Sequence, residues 1–529
     1  MERFIATETL VIELLLVVSL VAIFVRRLRI PYTVALVIVG LLITIQQPLE
    51  LSITPELILA LFLPPLVFEA AFHLNLTELE RDLSNLFLLA VPGVIITTIV
   101  VGGVVALGTP LGLPLALVFG ALIAATDPVS VVSLFRALGV PKRLAVLVEG
   151  ESLFNDGTAI VVYNLVLAAA LTGQFDLVKG LADFVRVVAG GTIVGLALGW
   201  LVSRVIARVD DYLIETTLTT ILAFGSYLLA ERLSFSGVLA VVAAGLVNGN
   251  LGPRGMSPTT RIVLFNFWEY VAFLANSLVF LLIGLQVNIP DLLAAWQPIL
   301  WGILAVLLAR VVVVYGLGWI MNRFYEPVPP KWQHVLTWGG LRGAVCLALA
   351  LSLPTQLGPE IALLRVMAFG VVLFTLLVQA TTMGTLLRRL EIIWHSESQT
   401  EYEMRHARLT ALRAAEGHLN RLHHDGLVST HTLETLQPQL AERANALATS
   451  VREALRADPA LEAEELDLAR QELLRAQRST LLDLRRDGVI SEEVFEKLVA
   501  EVDAALAGGE TSSDFTSSQS PSKSNADKP

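Results

Sequence analysis

Long apolar stretches, each close to the length of one membrane crossing and parted by short polar turns, fill this chain up to residue 392. A spanning helix needs about 20 consecutive apolar residues, and roughly thirteen stretches approach or exceed that length. They are 8–25, 30–47, 54–72, 85–107, 112–137, 143–172, 178–207, 212–230, 234–250, 260–287, 291–322, 333–354 and 360–388. Helices and closed barrels are the only structures that satisfy every backbone group within lipid. The short segments of alternating polarity that a barrel needs are absent, so the pattern predicts an all-α polytopic membrane protein. After about residue 396 it changes to Arg, Glu, Ala, Leu and Gln at helical spacing, as in LEAEELDLARQELLRAQRSTLLDLRR, which predicts a soluble helical domain.

Composition agrees: 55% of the 529 residues are hydrophobic, 16% are charged and the mean hydropathy is +0.69, values that exclude an ordinary water-soluble protein. The net charge of −11 comes mostly from the soluble tail and carries no sign of nucleic-acid binding. The single cysteine, Cys346, excludes an intramolecular disulfide framework. Glu2, Glu8 and Glu13 stand where a secretory signal would carry Lys or Arg, so the first stretch is read as a retained helix.

Basic residues fall almost entirely in alternate loops: Arg26, Arg27 and Arg29, then Arg81, then Arg136, Lys142 and Arg143, then Arg204 and Arg208, Arg254 and Arg261, Arg323 and Lys331, and Arg388 and Arg389. The opposite loops hold little more than Lys179 and Arg232. The positive-inside rule then places the N-terminus outside and the tail in the cytoplasm. Three domains are expected: a membrane domain over 1–392, a cytoplasmic helical regulatory domain over 393–508 and a disordered end over 509–529. Within the tail, Asp425-Gly426-Leu427-Val428-Ser429 and Asp487-Gly488-Val489-Ile490-Ser491 form a near-repeat in which Gly suits a helix C-cap and Ser the next N-cap, so each copy reads as a helical hairpin. His423 and His424, just before the first turn, read as solvated histidines or as pH sensors.

Charges inside a bilayer are expensive and need a partner or a task. Glu69, Asp127, Glu151, Asp156 and Arg342 all interrupt apolar runs, with Glu13, Arg186, Glu215, Arg310 and Arg365 as further candidates. Pro128 disfavours helical geometry at Asp127, and Gly339, Gly340 and Gly343 surround Arg342 with residues that tolerate unwound backbone. Two broken helices are therefore expected, of the kind that secondary transporters use to build ion sites near the midplane. Ser152, Asn155 and Asp156 stand at i, i+3 and i+4 and share one face of an unbroken helix.

The stretches PPLVFEAAF, ATDPVSVVSLF, GESLFNDGTAIVVYNL, FWEYVAFLANSLVFLLIGL and GGLRGAVCLALAL resemble, in order and spacing, the Na+/H+ exchangers of the cation/proton antiporter family that includes bacterial NhaP, the plant salt-tolerance exchangers and the animal NHE proteins. The resemblance extends from about residue 10 to 390 and is weaker in the tail. It implies a thirteen-helix fold with inverted repeats, divided into a dimerisation domain and a six-helix transport core, in a homodimer. The activity it implies is exchange of Na+, also Li+ and K+, for H+ across the plasma membrane by alternating access, in pH and salt homeostasis. Broad K+(Na+)/H+ antiport is the alternative reading of the same site, and a cation channel a more distant one. No cofactor is implied, and no Walker-type phosphate loop is present.

Asp156 is the residue expected to carry the exchange, because a carboxylate offers a hard oxygen to an alkali cation when ionised and carries a proton when not. In related exchangers the matching Asp binds the ion. Asp127 is read as a second ligand, as a hydrogen-bond partner of Asn155 or as a helix-breaking cap. The resemblance gives Thr126 and Ser152 as further ion ligands and Glu69 as an acidic residue that reaches the ion through water, with a simple salt bridge as the alternative for Glu69. Glu151 and Arg342 are expected to pair with each other as structural support for the crossed half-helices. Asn155 leaves one principal titrating carboxylate, and the resemblance then implies one proton exchanged per cation. The remaining Glu215, Arg310 and Arg365 are expected in structural or lumen-facing ion pairs, and a regulatory ligand or partner is expected at the tail.

Overall fold

The structure, a computed structural model, describes residues 2–25, 31–46, 57–174, 176–209, 211–252, 256, 258–392, 397–457, 459–486 and 489–507. Arg26, Arg27, Arg29, Arg254, Asp487, Gly488 and the expected disordered end, 509–529, lie outside the described residues. All regular structure among the described residues is helical. The chain divides into two compact units, Met1–Trp394 and His395–Pro529.

In the first unit the helices are α1 (Glu2–Val25), α2 (Tyr32–Gln46), α3 (Leu63–His73), α4 (Leu76–Ala90), α5 (Pro92–Gly108), α6 (Leu113–Leu122), α7 (Val129–Leu138), α8 (Lys142–Thr172) and α9 (Leu177–Ile206). They continue as α10 (Tyr212–Arg232), α11 (Gly237–Leu251), α12 (Pro258–Leu285), α13 (Ile289–Ala294), α14 (Trp296–Phe324), α15 (Pro330–Trp338), α16 (Ala344–Leu351), α17 (Ile361–Phe374) and α18 (Thr381–Arg389). Over the described residues, each apolar stretch marked in the sequence falls on one of these helices or on a consecutive pair. Among the described residues seven helices are long and apolar enough to cross a membrane, counting α4 and α5 together as Leu76–Gly108 and α17 and α18 as Ile361–Arg389. Wide π-turns open α3 over Leu57–Phe62 and join α17 to α18 over Thr375–Ala380.

Loop residues start the helices by capping. Asn75 accepts from the Thr77 amide, Asp176 from Val178 and Lys179, Asp211 from Leu213 and Ile214, and Ser236 from Leu239, which satisfies amides that lack a partner within the first turn. Glu215 follows in the first turn of α10 and is fully buried. Glu13 and Arg186 lie on exposed helix faces.

The helices sort into two packed groups. One joins α1, α2, α3 and α9 to α12, while the other joins α4, α5, α6, α8 and α14 to α18. Small residues let backbones approach in the first group: a Cβ at Gly40 would overlap the Leu281 carbonyl, and one at Gly284 the Val37 carbonyl, so α2 and α12 touch along their main chains. At the seam between the groups α8 packs against α3, α9 and α11, and α16 packs against α12.

The second unit contains α19 (Glu397–His424), α20 (Thr430–Ala457), α21 (Pro459–Arg486) and α22 (Glu492–Ala507). Its first turn follows the expected chemistry: Gly426 has φ of 73°, and the Ser429 hydroxyl accepts from the Thr432 amide at 3.3 Å to start α20. The His423 ring meets the Val428 carbonyl at 3.0 Å and closes the same turn. Leu409, Ala444 and Val451 form the small core between α19 and α20.

Candidate functional site

Pro128 and the glycine cluster do break their helices. Chain from 123 to 128 separates α6 from α7, and chain from 339 to 343 separates α15 from α16. The two breaks cross, and the Asp127 amide donates to the Leu341 carbonyl at 2.9 Å. A Cβ at Gly343 would overlap the Asp127 carboxylate, so only glycine lets the two unwound segments come this close.

Carbonyls orphaned at the end of α6 must find donors elsewhere. The Ala125 carbonyl accepts from Cys346 Sγ at 3.2 Å and from Arg342 Nη1 at 3.4 Å. The Thr126 carbonyl accepts from the Ser152 hydroxyl. Asn155 completes the join from α8: its Nδ2 donates to Thr126 Oγ1 at 2.7 Å, and its Oδ1 accepts from the Thr126 amide at 3.1 Å. Asn155 is thus held by Thr126, not by Asp127. Asp127 Oδ1 instead accepts from the Val129 amide, the first of α7, at 3.0 Å.

Beside the crossing lies a cavity of about 240 Å³ lined by Thr126, Asp127, Ser152 and Asp156, and farther along by Glu69. Asn155 and Arg342 are not on its wall. No described residue donates a hydrogen bond to the Asp156 carboxylate. Asp156 and Asp127 therefore face open space large enough for several waters, which answers why α8 carries a polar stripe inside an apolar unit. Two carboxylates with a hydroxyl and unwound backbone carbonyls nearby are hard oxygen donors suited to an alkali cation, and each carboxylate can also take a proton.

The expected Glu151–Arg342 pair does not form. Glu151 pairs with Arg310 of α14: Nη1 donates to Oε1, Nη2 donates to Oε2 at 3.2 Å, and both side chains are buried. Arg310 Nη2 also donates to the Leu336 carbonyl near the end of α15. The planar fork of Arg310 reaches both carboxylate oxygens from one side, whereas Arg342 points toward the end of α6. Arg365 also departs from expectation: Nε and Nη2 donate to the carbonyls of Ala350, Leu351 and Leu353, so it caps α16 in place of a carboxylate pairing.

Glu69 stands 3.2 Å from His73 one turn below it on α3. The cavity wall also includes Glu149, Arg136 and Glu269, three residues that the sequence reading did not assign to the site. Glu149 and Arg136 lie 3.6 Å apart. Glu149 was legible in principle, because 149, 152 and 156 follow helical spacing on one face of α8. Glu269 and Arg136 come from other helices and were not.

The family model for the transmembrane sodium/hydrogen exchanger matches residues 14–389. The chain belongs to the sodium/hydrogen exchanger family. That family consists of transporters, not enzymes. The exchanger-family chain is 41% identical over 471 residues to the Na+/H+ antiporter ApNhaP of Aphanothece halophytica, covering 88% of this chain and 90% of that one. It is 39% identical over 350 residues to the Na+/H+ antiporter NhaP of Pseudomonas aeruginosa, covering 63% and 81%. Among solved structures, that of the sodium proton antiporter MjNhaP1 from Methanocaldococcus jannaschii superposes with a TM-score of 0.62 at 25% identity, covering 74% of this chain and 99% of that one. In this exchanger-family chain the matched region holds both broken helices and the whole cavity.

Proposed function

We propose that this protein exchanges Na+ for H+ by alternating access, with Asp156 as the group that accepts one or the other. The observation that carries the reading is the Asp156 carboxylate, free of hydrogen bonds from described residues, on the wall of a cavity at the crossing of two broken helices. Asp127, Thr126 and Ser152 supply further oxygens, while Asn155 fixes the Thr126 segment without adding charge. Glu69 belongs to the approach to that site. Glu151 and Arg310 brace α8 against α14 and α15, so that the ligands on α8 keep their register.

The transported set includes Li+ and extends to K+, and the exchange is electroneutral at one proton per cation, since Asn155 carries no charge. Thirteen crossings with inverted repeats, a homodimer in the plasma membrane, an outside N-terminus and a cytoplasmic tail complete the proposal, with a role in pH and salt homeostasis. The cavity wall includes Arg136, which lies on the side that the positive-inside rule assigns to the cytoplasm, and this supports reading the site as facing inward. The tail, with its helical hairpins, is proposed to bind a regulatory ligand or partner.

Dye-quench exchange with Na+, Li+ and K+ on purified protein in liposomes tests the proposal. Wild type should dissipate a pH gradient with Na+ and Li+, and folded Asp156→Asn should not. Undiminished exchange in Asp156→Asn, or cation flux without proton counter-movement in the wild type, would overturn it.

A further inference from the structure

The wall of the cavity carries more charge than the crossing uses. Five carboxylates stand on it, those of Glu69, Asp127, Glu149, Asp156 and Glu269, and among the described residues Arg136 is its one cationic side chain. His73 lies outside the wall, 3.2 Å from Glu69. Arg136 stands apart from the crossing. It occupies the last turn of α7, whereas Asp127 comes just before the first. Its partner Glu149 precedes Asp156 on α8 by seven residues, about 10 Å at the rise of a helix. Arg136 Nη2 lies 3.6 Å from Glu149 Oε1, with the arginine side chain 60% exposed and the glutamate 15%. A part-exposed pair beyond hydrogen-bond distance is weakly held, so the guanidinium can swing away and another cation can take its place.

We propose that Arg136 is a tethered competitor of the transported cation: it occupies Glu149 at the outer end of the cavity and so keeps the cation from being held there on its way to or from Asp156. The inference rests on the reading of Asp156 as the group that accepts the ion. Five carboxylates around one open space attract alkali cations strongly, and a path that binds its ion too well releases it slowly. A guanidinium on the same wall weakens that attraction, and it does so at every working pH because it does not deprotonate. Its charge reaches Glu69 as well as Glu149, so one side chain loosens the hold of two outer carboxylates. Arg136 brings no ligand oxygen and leaves the ion-accepting group unchanged; what it sets is how readily the cation enters and leaves. A pair whose task is to brace two helices is built differently in the same unit: Glu151 and Arg310 are buried and joined through both carboxylate oxygens, whereas Arg136 is open and meets one oxygen of Glu149.

The test reconstitutes the full chain as wild type, Arg136→Gln, Arg136→Lys, Glu149→Gln, Arg136→Gln/Glu149→Gln and Asp156→Asn. It measures the half-saturating Na+ concentration and the maximal exchange rate at alkaline pH, where protons compete least for Asp156. Arg136→Gln should lower the half-saturating concentration several-fold, within the roughly two- to twentyfold that one unit charge about 10 Å away exerts between effective dielectric constants of about 80 and 20, and should slow maximal exchange. Glu149→Gln, which leaves the guanidinium without its partner, should raise the half-saturating concentration. The double variant restores the charge balance of the outer cavity and should return to within about twofold of wild type, and Arg136→Lys, which keeps the charge, should match wild type. A half-saturating concentration in Arg136→Gln equal to or above that of wild type overturns the proposal even where the maximal rate falls, since loss of a mere brace between α7 and α8 would move the rate alone. A double variant that stays with Arg136→Gln overturns it too. Exchange that persists in folded Asp156→Asn overturns the reading beneath the inference, and the inference with it, through a variant different from those that bear on Arg136.

Discussion

Removing one partner of the Glu151–Arg310 pair should destabilise the membrane unit severely, while removing both should not. Side chains 4% and 5% exposed make the pair fully internal, so the survivor of a single substitution is a charge without compensation, a loss of about 3 to 5 kcal/mol. Glu151→Leu and Arg310→Met should each show that loss. In the double variant no charge remains, and the residual defect is the unpaired Leu336 carbonyl, about 1 to 3 kcal/mol. The double variant should therefore be at least as stable as either single one, in a thermal-shift or reversible detergent-denaturation series on the purified full chain. The same cycle between Glu151→Leu and Arg342→Gln should show a clearly smaller coupling, because no hydrogen bond joins those two side chains. Additive losses at 151 and 310, or a larger coupling between 151 and 342, would refute the assignment of partners.

Gly343→Ala places a methyl group on the Asp127 carboxylate and should abolish exchange with a destabilisation of about 1 to 3 kcal/mol, whereas Gly103→Ala, which meets nothing within 4 Å, should match wild type in both readouts. Asn155→Ala removes both contacts to Thr126 and should cost about 1 to 3 kcal/mol and raise the half-saturating Na+ concentration; an unchanged Na+ dependence in transport assays would remove Asn155 from the ion-site scaffold. Exchange as a function of pH should fall on the acid side, where protons hold Asp156, and again on the alkaline side, where protonation no longer drives cation release. A flat rate in liposomes between about pH 5 and 9 would contradict competition for one carboxylate.

Much of this architecture was legible in one dimension because lipid permits so few solutions. Apolar runs of spanning length have to be helices, Pro128 and the glycines around Arg342 have to interrupt theirs, and polar residues at helical spacing on α8 have to share a face. Those consequences are local, and each follows from backbone geometry within a few residues. Partner choice is not local. Arg310 and Arg342 are both lone cations in apolar stretches, and only the packing of α14 beside α8 decides that Glu151 takes Arg310 and leaves Arg342 to the end of α6. For the same reason Asn155 met Thr126 and not its acidic neighbour, and Glu149, Arg136 and Glu269 joined a cavity assembled from five helices. Residue types and spacing determined which groups must be satisfied inside the membrane. The tertiary structure alone decided which group satisfies which, because hydrogen bonds and ion pairs act over a few ångströms between helices whose adjacency no periodicity encodes.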